Sequence, residues 1–232
     1  MDLVYVVGPD TRNEELRYSL RSVARNLMHD VVWIVGYKPA WVTGVEYLPV
    51  KQHATKWQNS TANLVTACDS GTGVAERFAL MNDDFYVLES MVEVPILNRG
   101  PVAGEIARYR YTRSRYVDGI EQTATLLKRV AGIDAPISYE LHVPLPVVKS
   151  DMRAALHLAA TEGRHIIAIH KRTLYGNLYG IGGETRDDVK LHGSGDPLPD
   201  WPLVSTATAS WRGLVGKALR ARFPEPCIYE KE

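Results

Sequence analysis

Two adjacent carboxylates give the first chemical suggestion in this chain. Asp83 and Asp84 stand in Met81-Asn82-Asp83-Asp84-Phe85-Tyr86, past an apolar run that ends at Met81. Side by side at a strand end they repel each other and lose hydration. A shared cation relieves both costs, and divalent metals with oxygen ligands, together with the phosphates they carry, are the usual cation. The plainer reading is an Asn-Asp-Asp turn between two strands with both carboxylates in water. His142, in Leu141-His142-Val143-Pro144-Leu145-Pro146, is a second candidate: a loop histidine before a proline is placed to move a proton. Taken alone, such a histidine is more often a cap or a core residue. Arg17 and Arg21 are four residues apart on one helix face. They either pair with Glu14 or Glu15 in solvent, or Arg17 reaches phosphates.

Other charged groups are weaker signals. Arg108 to Tyr116 alternates basic and aromatic residues, as an edge strand would: Arg108, Arg110 and Thr112 on one face, Tyr109, Tyr111 and Arg113 on the other. Its plainer role is a packed aromatic face backed by a solvated basic one. Its sharper role is a groove in which arginine binds phosphate and tyrosine stacks on sugars or bases. Gly180-Ile181-Gly182-Gly183 lacks the Gly-Lys-Ser/Thr ending of a phosphate loop and reads as a flexible loop or lid. His53, His157, His165, His170 and His192 show no ligand spacing, and His165 and His170 read as strand-end residues.

The elements that must hold these groups follow from the apolar pattern. Asp2–Val7 reads as a buried strand closed by Gly8-Pro9-Asp10. Asn13 opens a helix with Leu16, Leu20, Val23 and Leu27 at helical spacing and Glu14 and Glu15 in its first turn. Val31–Val35 is a second buried strand ended by Gly36, and Val45–Val50 a third. Strand, helix, strand in so short a stretch is the βαβ unit of a parallel sheet. Asn59–Ala67 is a further helix capped by Asn59 or Ser60, Asp69–Gly73 a loop, and Phe78–Met81 the next strand, with a helix end expected before it near Val74. Gly8-Pro9-Asp10, Gly36 and Asp83-Asp84 therefore all fall at strand carboxyl ends, where open α/β sheets bind ligands. Beyond Pro95 the pattern is less regular. Helices are expected over Glu121–Val130, Asp151–Glu162 and Arg212–Arg222, with an extended segment at His142–Pro146 and a mobile surface loop over Gly180–Trp201.

Composition sets limits without naming a function. The chain has 232 residues, 45% hydrophobic and 23% charged, enough for a globular core. Its 27 basic and 27 acidic residues cancel, so global charge argues for neither nucleic acid nor an anionic membrane as partner. Cys68 and Cys227 form no metal-ligand spacing and point to a reducing compartment. No apolar run reaches membrane-spanning length and the chain opens directly on a strand-like segment. A protein of the cytoplasm, without leader or membrane anchor, is expected.

Several blocks, in order, resemble the Stealth family of sugar-phosphate transferases, and similar segments occur in phage proteins described as glycosyltransferases. They are Met1–Val7, Asn13–Val23, Val32–Val35 with Pro39-Ala40-Trp41, Glu76–Phe85, and Leu141–Pro146. The resemblance covers the first half well and the second half patchily. It implies a single GT-A-like (Rossmann-like) α/β domain over residues 1–232, its central sheet mostly parallel and flanked by helices, its C-terminal half irregular. Residues 1–95 would be the nucleotide-sugar-binding half and 96–232 the acceptor-binding, catalytic half. Asp84, His142 and Arg172 would be catalytic, Arg172 through phosphate binding. Asp2, Gly8, Asp10, Arg17, Asn82 and Asp83 would bind the nucleotide sugar, with Mg²⁺ or Mn²⁺ on Asp83 and Asp84. The expected reaction moves a sugar, or a sugar-1-phosphate, to a hydroxyl on a glycan, a protein or a nucleic acid, in the host cytoplasm if phage-encoded. The alternative is a glycan- or nucleic-acid-binding module without turnover. One departure stands out: the pattern has a second acidic pair before the last helix, where this chain has Ala207 and Thr208.

Overall fold

The computed structural model describes all residues except 54, 110, 112, 113 and 232. Strand β1 (Asp2–Val7) is the centre of the main sheet. Helix α1 (Glu14–Asn26) returns the chain to β2 (Val32–Gly36), and β3 (Glu46–Pro49) adds an outer strand. Helix α2 (Lys56–Ala67) crosses back to β4 (Arg77–Met81) on the other side of β1. These four strands are mutually parallel where they pair.

A parallel sheet is covered on both faces, so its strands read as unbroken apolar runs while alternate residues serve different cores. Leu3, Tyr5 and Val7 pack with Leu16, Leu20 and Val23 of α1, whereas Val4 packs on the other face with Leu64 and Ala67 of α2. Asp2 is buried at the amino end of β1, where its Oδ2 accepts from Trp33 Nε1 (2.8 Å) and the Ala75 N–H (3.0 Å). It joins β1, β2 and the approach to β4.

From β4 the chain turns through Asn82–Asp84 into β5 (Phe85–Val87), which belongs to a second sheet. Then come β6 (Leu97–Asn98), α3 (Val102–Arg108), α4 (Arg115–Ala131) and β7 (Leu145–Val148), which closes the main sheet antiparallel to β4. Helices α5 (Lys149–Thr161) and α6 (Lys171–Leu178) cover the face used by Val4, through Met152, Ala155, Leu174 and Tyr175. The chain ends with β8 (Glu184–Thr185), β9 (Lys190–Leu191), β10 (Leu203–Thr206), α7 (Thr208–Arg212) and α8 (Leu214–Arg222). The main sheet has the order β3-β2-β1-β4-β7, and the second sheet runs β5-β10-β9.

The expected α/β architecture, with a largely parallel sheet between helices, is the observed one. Five local expectations are corrected. Helix α2 begins at Lys56 with Thr55 as its cap, because Asn59 spends its side-chain oxygen on the His53 N–H. No helix precedes β4: α2 ends at Ala67, and the chain from Val74 to Glu76 is irregular. The described residues of the Arg108–Tyr116 segment form no strand. Arg108 ends α3, Ser114 caps α4 and Arg115 begins it, while Arg110, Thr112 and Arg113 lie outside the described residues. His165 and His170 do not end a strand either; His165 lies in a turn and His170 precedes α6. The Gly180–Trp201 tract, expected to be a loop, contains β8 and β9.

Among the described residues the two donors held by Asp2 have no other acceptor, so removing the carboxylate strands both. Asp2→Ala should lower the unfolding free energy in urea by about 1–3 kcal/mol. An unchanged midpoint and slope would contradict that structural role.

Candidate active site

A cleft of about 870 Å³ opens at the carboxyl ends of β1 and β4. Gly8, Pro9 and Asp10 form one wall, and Asn82, Asp83 and Asp84 form its floor. Asn59 and Asn63 enter from α2, and the lining is completed by residues 140–142 and 169–172 with Asp188, Lys190 and His192. A side chain at position 8 would meet no atom within 4 Å, so the backbone there is open to a ligand.

The floor is built from α1 and the β4–β5 turn together. Asn13 caps α1 in a left-handed conformation (φ 32°), which asparagine tolerates better than most residues. Its Oδ1 accepts from the Leu16 N–H at 3.0 Å, and its Nδ2 donates to Asp83 Oδ2 at 2.8 Å. The next carboxylate of the cluster is Glu15, whose Oε1 accepts from the Thr206 hydroxyl at 2.6 Å. Asp84 Oδ2 accepts from the Lys190 ammonium at 2.7 Å. Its other oxygen, Oδ1, is buried without a hydrogen-bond partner among the described residues.

Burial pushes Asp83 upward, and the charge of Asp84 adds to that; the Asn13 hydrogen bond and Lys190 pull back. Asp83 keeps some surface in the cleft while protein atoms surround the rest of it. Burial likewise pushes Glu15 up to about 7; Asp84 and Asp83 add to the rise, while Thr206 and Lys190 oppose it.

The opposite wall holds a histidine–carboxylate pair. His142 Nδ1 lies 2.7 Å from Asp188 Oδ2, and the His142 N–H donates to Asp188 Oδ1 at 3.0 Å. Burial raises Asp188, but the hydrogen bonds and charge of His142, with help from Arg99, outweigh it and hold the acid at about 2. An ionised carboxylate only accepts, so the His142 ring proton belongs on Nδ1. That leaves Nε2 as the basic nitrogen on a residue that lines the cleft.

Arg172 also lines the cleft, yet its Nη1 donates to the carbonyls of Leu141 (2.9 Å) and Val143 (2.6 Å), the residues on either side of His142. It holds the histidine loop. Its Nη2 is buried and has no hydrogen-bond partner among the described residues. Lys171, the first residue of α6, reaches Thr61 Oγ1 at 3.2 Å. Burial lowers it to about 8, against the charge of Glu140.

Of the residues expected from sequence, the structure brings Gly8, Asp10, Asn82, Asp83, Asp84, His142 and Arg172 to this one cleft. It excludes two. Asp2 sits at the opposite end of β1, occupied with Trp33 and Ala75. Arg17 does not line the cleft: it pairs with Glu230 Oε2 at 2.6 Å, rather than with Glu14 or Glu15, and lies over the Trp41 ring. Glu230, which also binds Arg21, supplies the acid. Sequence did not mark out three residues that line the cleft, Lys171, Asp188 and Lys190, nor the roles beneath its floor of Asn13, which holds Asp83, and Glu15, which is bonded to Thr206. For Asp188 and Lys190 a signal existed, since Asp188, Lys190 and His192 alternate with Val189 and Leu191, a strand period inside an apparent loop.

The residues present do not fit the divalent ion expected on the acidic pair. One oxygen of each aspartate is already bonded, to Asn13 and to Lys190. Among the described residues no group of three or more His, Cys, Asp or Glu is placed to hold a metal.

No family model matches the sequence, and none of the curated proteins does. The structure superposes on that of galactosyltransferase LgtC, solved with donor and acceptor sugar analogues, with a TM-score of 0.56 at 8% identity over 100% of this chain and 98% of the other. The fold is GT-A-like. A weaker superposition, at a TM-score of 0.41 and 10% identity, is with the glycosyltransferase GlyE of Streptococcus pneumoniae TIGR4 over 88% of this chain and 53% of that one, too loose to say more. No described helix of this GT-A-like chain is long and apolar enough to cross a membrane.

The raised Glu15 makes a pH test possible. Its folded value of about 7 lies above the ordinary 4.5, so between the two the folded chain holds a proton that the unfolded chain releases. That group therefore lowers stability as pH rises from 4.5 to about 7, and the loss is complete above it. Glu15→Gln should raise the melting temperature more at about pH 8 than at about pH 5. A difference that is the same at both would show that Glu15 ionises normally.

Proposed function

We propose that this chain is a nucleotide-sugar-dependent glycosyltransferase. The observation that carries the reading is a pair of unmet groups in the cleft at the sheet's carboxyl edge: Asp84 Oδ1, a buried acceptor, and Arg172 Nη2, a buried donor. They are close enough to feel each other's charge. Sugar hydroxyls donate and accept, so a sugar suits a site that offers both kinds of unmet group. The GT-A-like fold supports the same reading through the LgtC superposition.

The nucleotide lies along Gly8-Pro9-Asp10 and α2, as the sheet's carboxyl edge predicts. Residues 1–95 provide this donor side. The segment 96–232 provides the acceptor side and returns Lys171 and Lys190 to the diphosphate. His142 Nε2 takes the proton of the acceptor hydroxyl as its oxygen bonds to the anomeric carbon. The bond from that carbon to the diphosphate oxygen breaks, and the nucleoside diphosphate leaves with the electron pair. Lys171 and Lys190 meet the charge that develops on it. Asp188 keeps His142 in the tautomer that can accept.

A second reading draws on the Stealth-like block Leu141–Pro146: transfer of sugar-1-phosphate, with attack at the β-phosphorus. The leaving nucleotide separates the two. Glycosyl transfer releases a nucleoside diphosphate, whereas sugar-1-phosphate transfer releases a nucleoside monophosphate.

The test is a panel of nucleotide sugars incubated with the protein and a mixture of acceptor glycans, with released nucleotides resolved by chromatography. One donor should yield nucleoside diphosphate. His142→Ala should lower kcat by about 10²–10⁴-fold, and Asp188→Asn by less, with donor KM little changed. Full turnover in His142→Ala would remove the base. If donors bind but none turns over with any acceptor, a binding module is the better description.

A further inference from the structure

The salt bridge between Lys190 and Asp84 is built into the fold. Their side chains are 18% and 15% exposed, and Nζ stands 2.7 Å from Oδ2. Lys190 is fixed by sheet register: β9 pairs in parallel with β10 so that Ser205 stands beside Lys190 and Thr206 beside Leu191. Strand β10 in turn pairs with β5, which starts directly after Asp84, and the Thr206 N–H donates to the Asp84 carbonyl. Val189 and Leu191 pack against apolar clusters on either side of Lys190. The strand alternation then delivers Asp188, Lys190 and His192 to the cleft.

We infer that Lys190 supplies, from within the chain, the positive charge that a divalent ion would bring to the Asp83–Asp84 turn, so that the donor diphosphate binds without metal. This rests on the transferase reading above. An ion on Asp84 would compete with an ammonium that already holds one of its oxygens, and the two cations would repel at contact distance. Each aspartate keeps a single oxygen clear of those contacts, and a hard cation takes six or more oxygen ligands, so an ion there would draw most of its shell from water and phosphate. The ammonium carries three donors, and Asp84 uses one. A phosphate oxygen in the cleft can accept from another while Asp84 holds the ammonium in place.

Binding of UDP, GDP, ADP, CDP and dTDP, measured by calorimetry in EDTA and in MnCl₂, tests the inference. The nucleotide that binds should show the same Kd in both. Lys190→Met should weaken it about tenfold in EDTA, and Lys190→Arg should keep most of the affinity. The pair Asp84→Asn with Lys190→Met leaves no unpaired charge. It should lose affinity likewise if Lys190→Met alone folds poorly. A purely structural lysine would change stability and leave Kd alone, which overturns the inference. Binding that appears only with Mn²⁺ also overturns it while the transferase reading stands. If no nucleoside diphosphate binds in either buffer, both fall together.

Discussion

Three carboxylates and one ammonium meet at the junction of two sheets, and the rest of the molecule is arranged around that charge problem. Glu15 arrives on α1, and Asp83 and Asp84 arrive on the turn where the chain leaves the main sheet for the second. Lys190 reaches them from the far edge of the second sheet. Each member is tied by a different element: Asp83 through the cap of α1, Glu15 through the last residue of β10, Asp84 through β9. Removing one partner of such a half-buried pair strands the other, a loss of about 3–5 kcal/mol in well-buried cases, although the intact pair adds little net stability. The cluster therefore does less to hold the fold than to require a particular one. Helix α1 must start from Asn13, and β9 must keep its register.

The first hundred residues were open to reading because a parallel sheet writes itself plainly. Strands buried on both faces become short continuous apolar runs, and α1 shows one apolar stripe. The second half gives less away. From Arg108 to Tyr116 the alternation of arginine and tyrosine mimics a strand, but Ser114 caps a helix, and Tyr109 packs against Tyr116 edge to face at 5.7 Å. In the tract from Gly180 to Trp201, glycine, aspartate and proline hide a two-residue strand whose only signal is period two. Strands that short are set by tertiary pairing rather than by propensity.

The site divides along the same line. A turn of Asn-Asp-Asp after an apolar run is local, and its place at a strand end follows from the sequence. The partners of long cationic side chains are not local. Arg17 looks like a phosphate ligand until Glu230, 213 residues away, is seen beside it. Arg172 looks the same until its donors are found on Leu141 and Val143, where it braces the backbone on both sides of His142. Charge type is visible in a sequence, but whether a charge is already spent is not. Asp188, which sets the tautomer of His142, lies 46 residues from it and could not be paired with it beforehand.

Residues 207 and 208, one step beyond β10, take their meaning from Lys190. They are alanine and threonine, and the Ala207 N–H donates to the Leu191 carbonyl at 2.9 Å, on the strand that carries Lys190. No charge on these two side chains draws on the ammonium. Acids there would set further negative charge beside a lysine that already holds Asp84, and would neutralise it before any anionic ligand arrived. Without the lysine, Asp83 and Asp84 would meet such a ligand as like charges. Neutral residues at 207–208 and a cation at 190 together leave this end of the cleft able to receive negative charge.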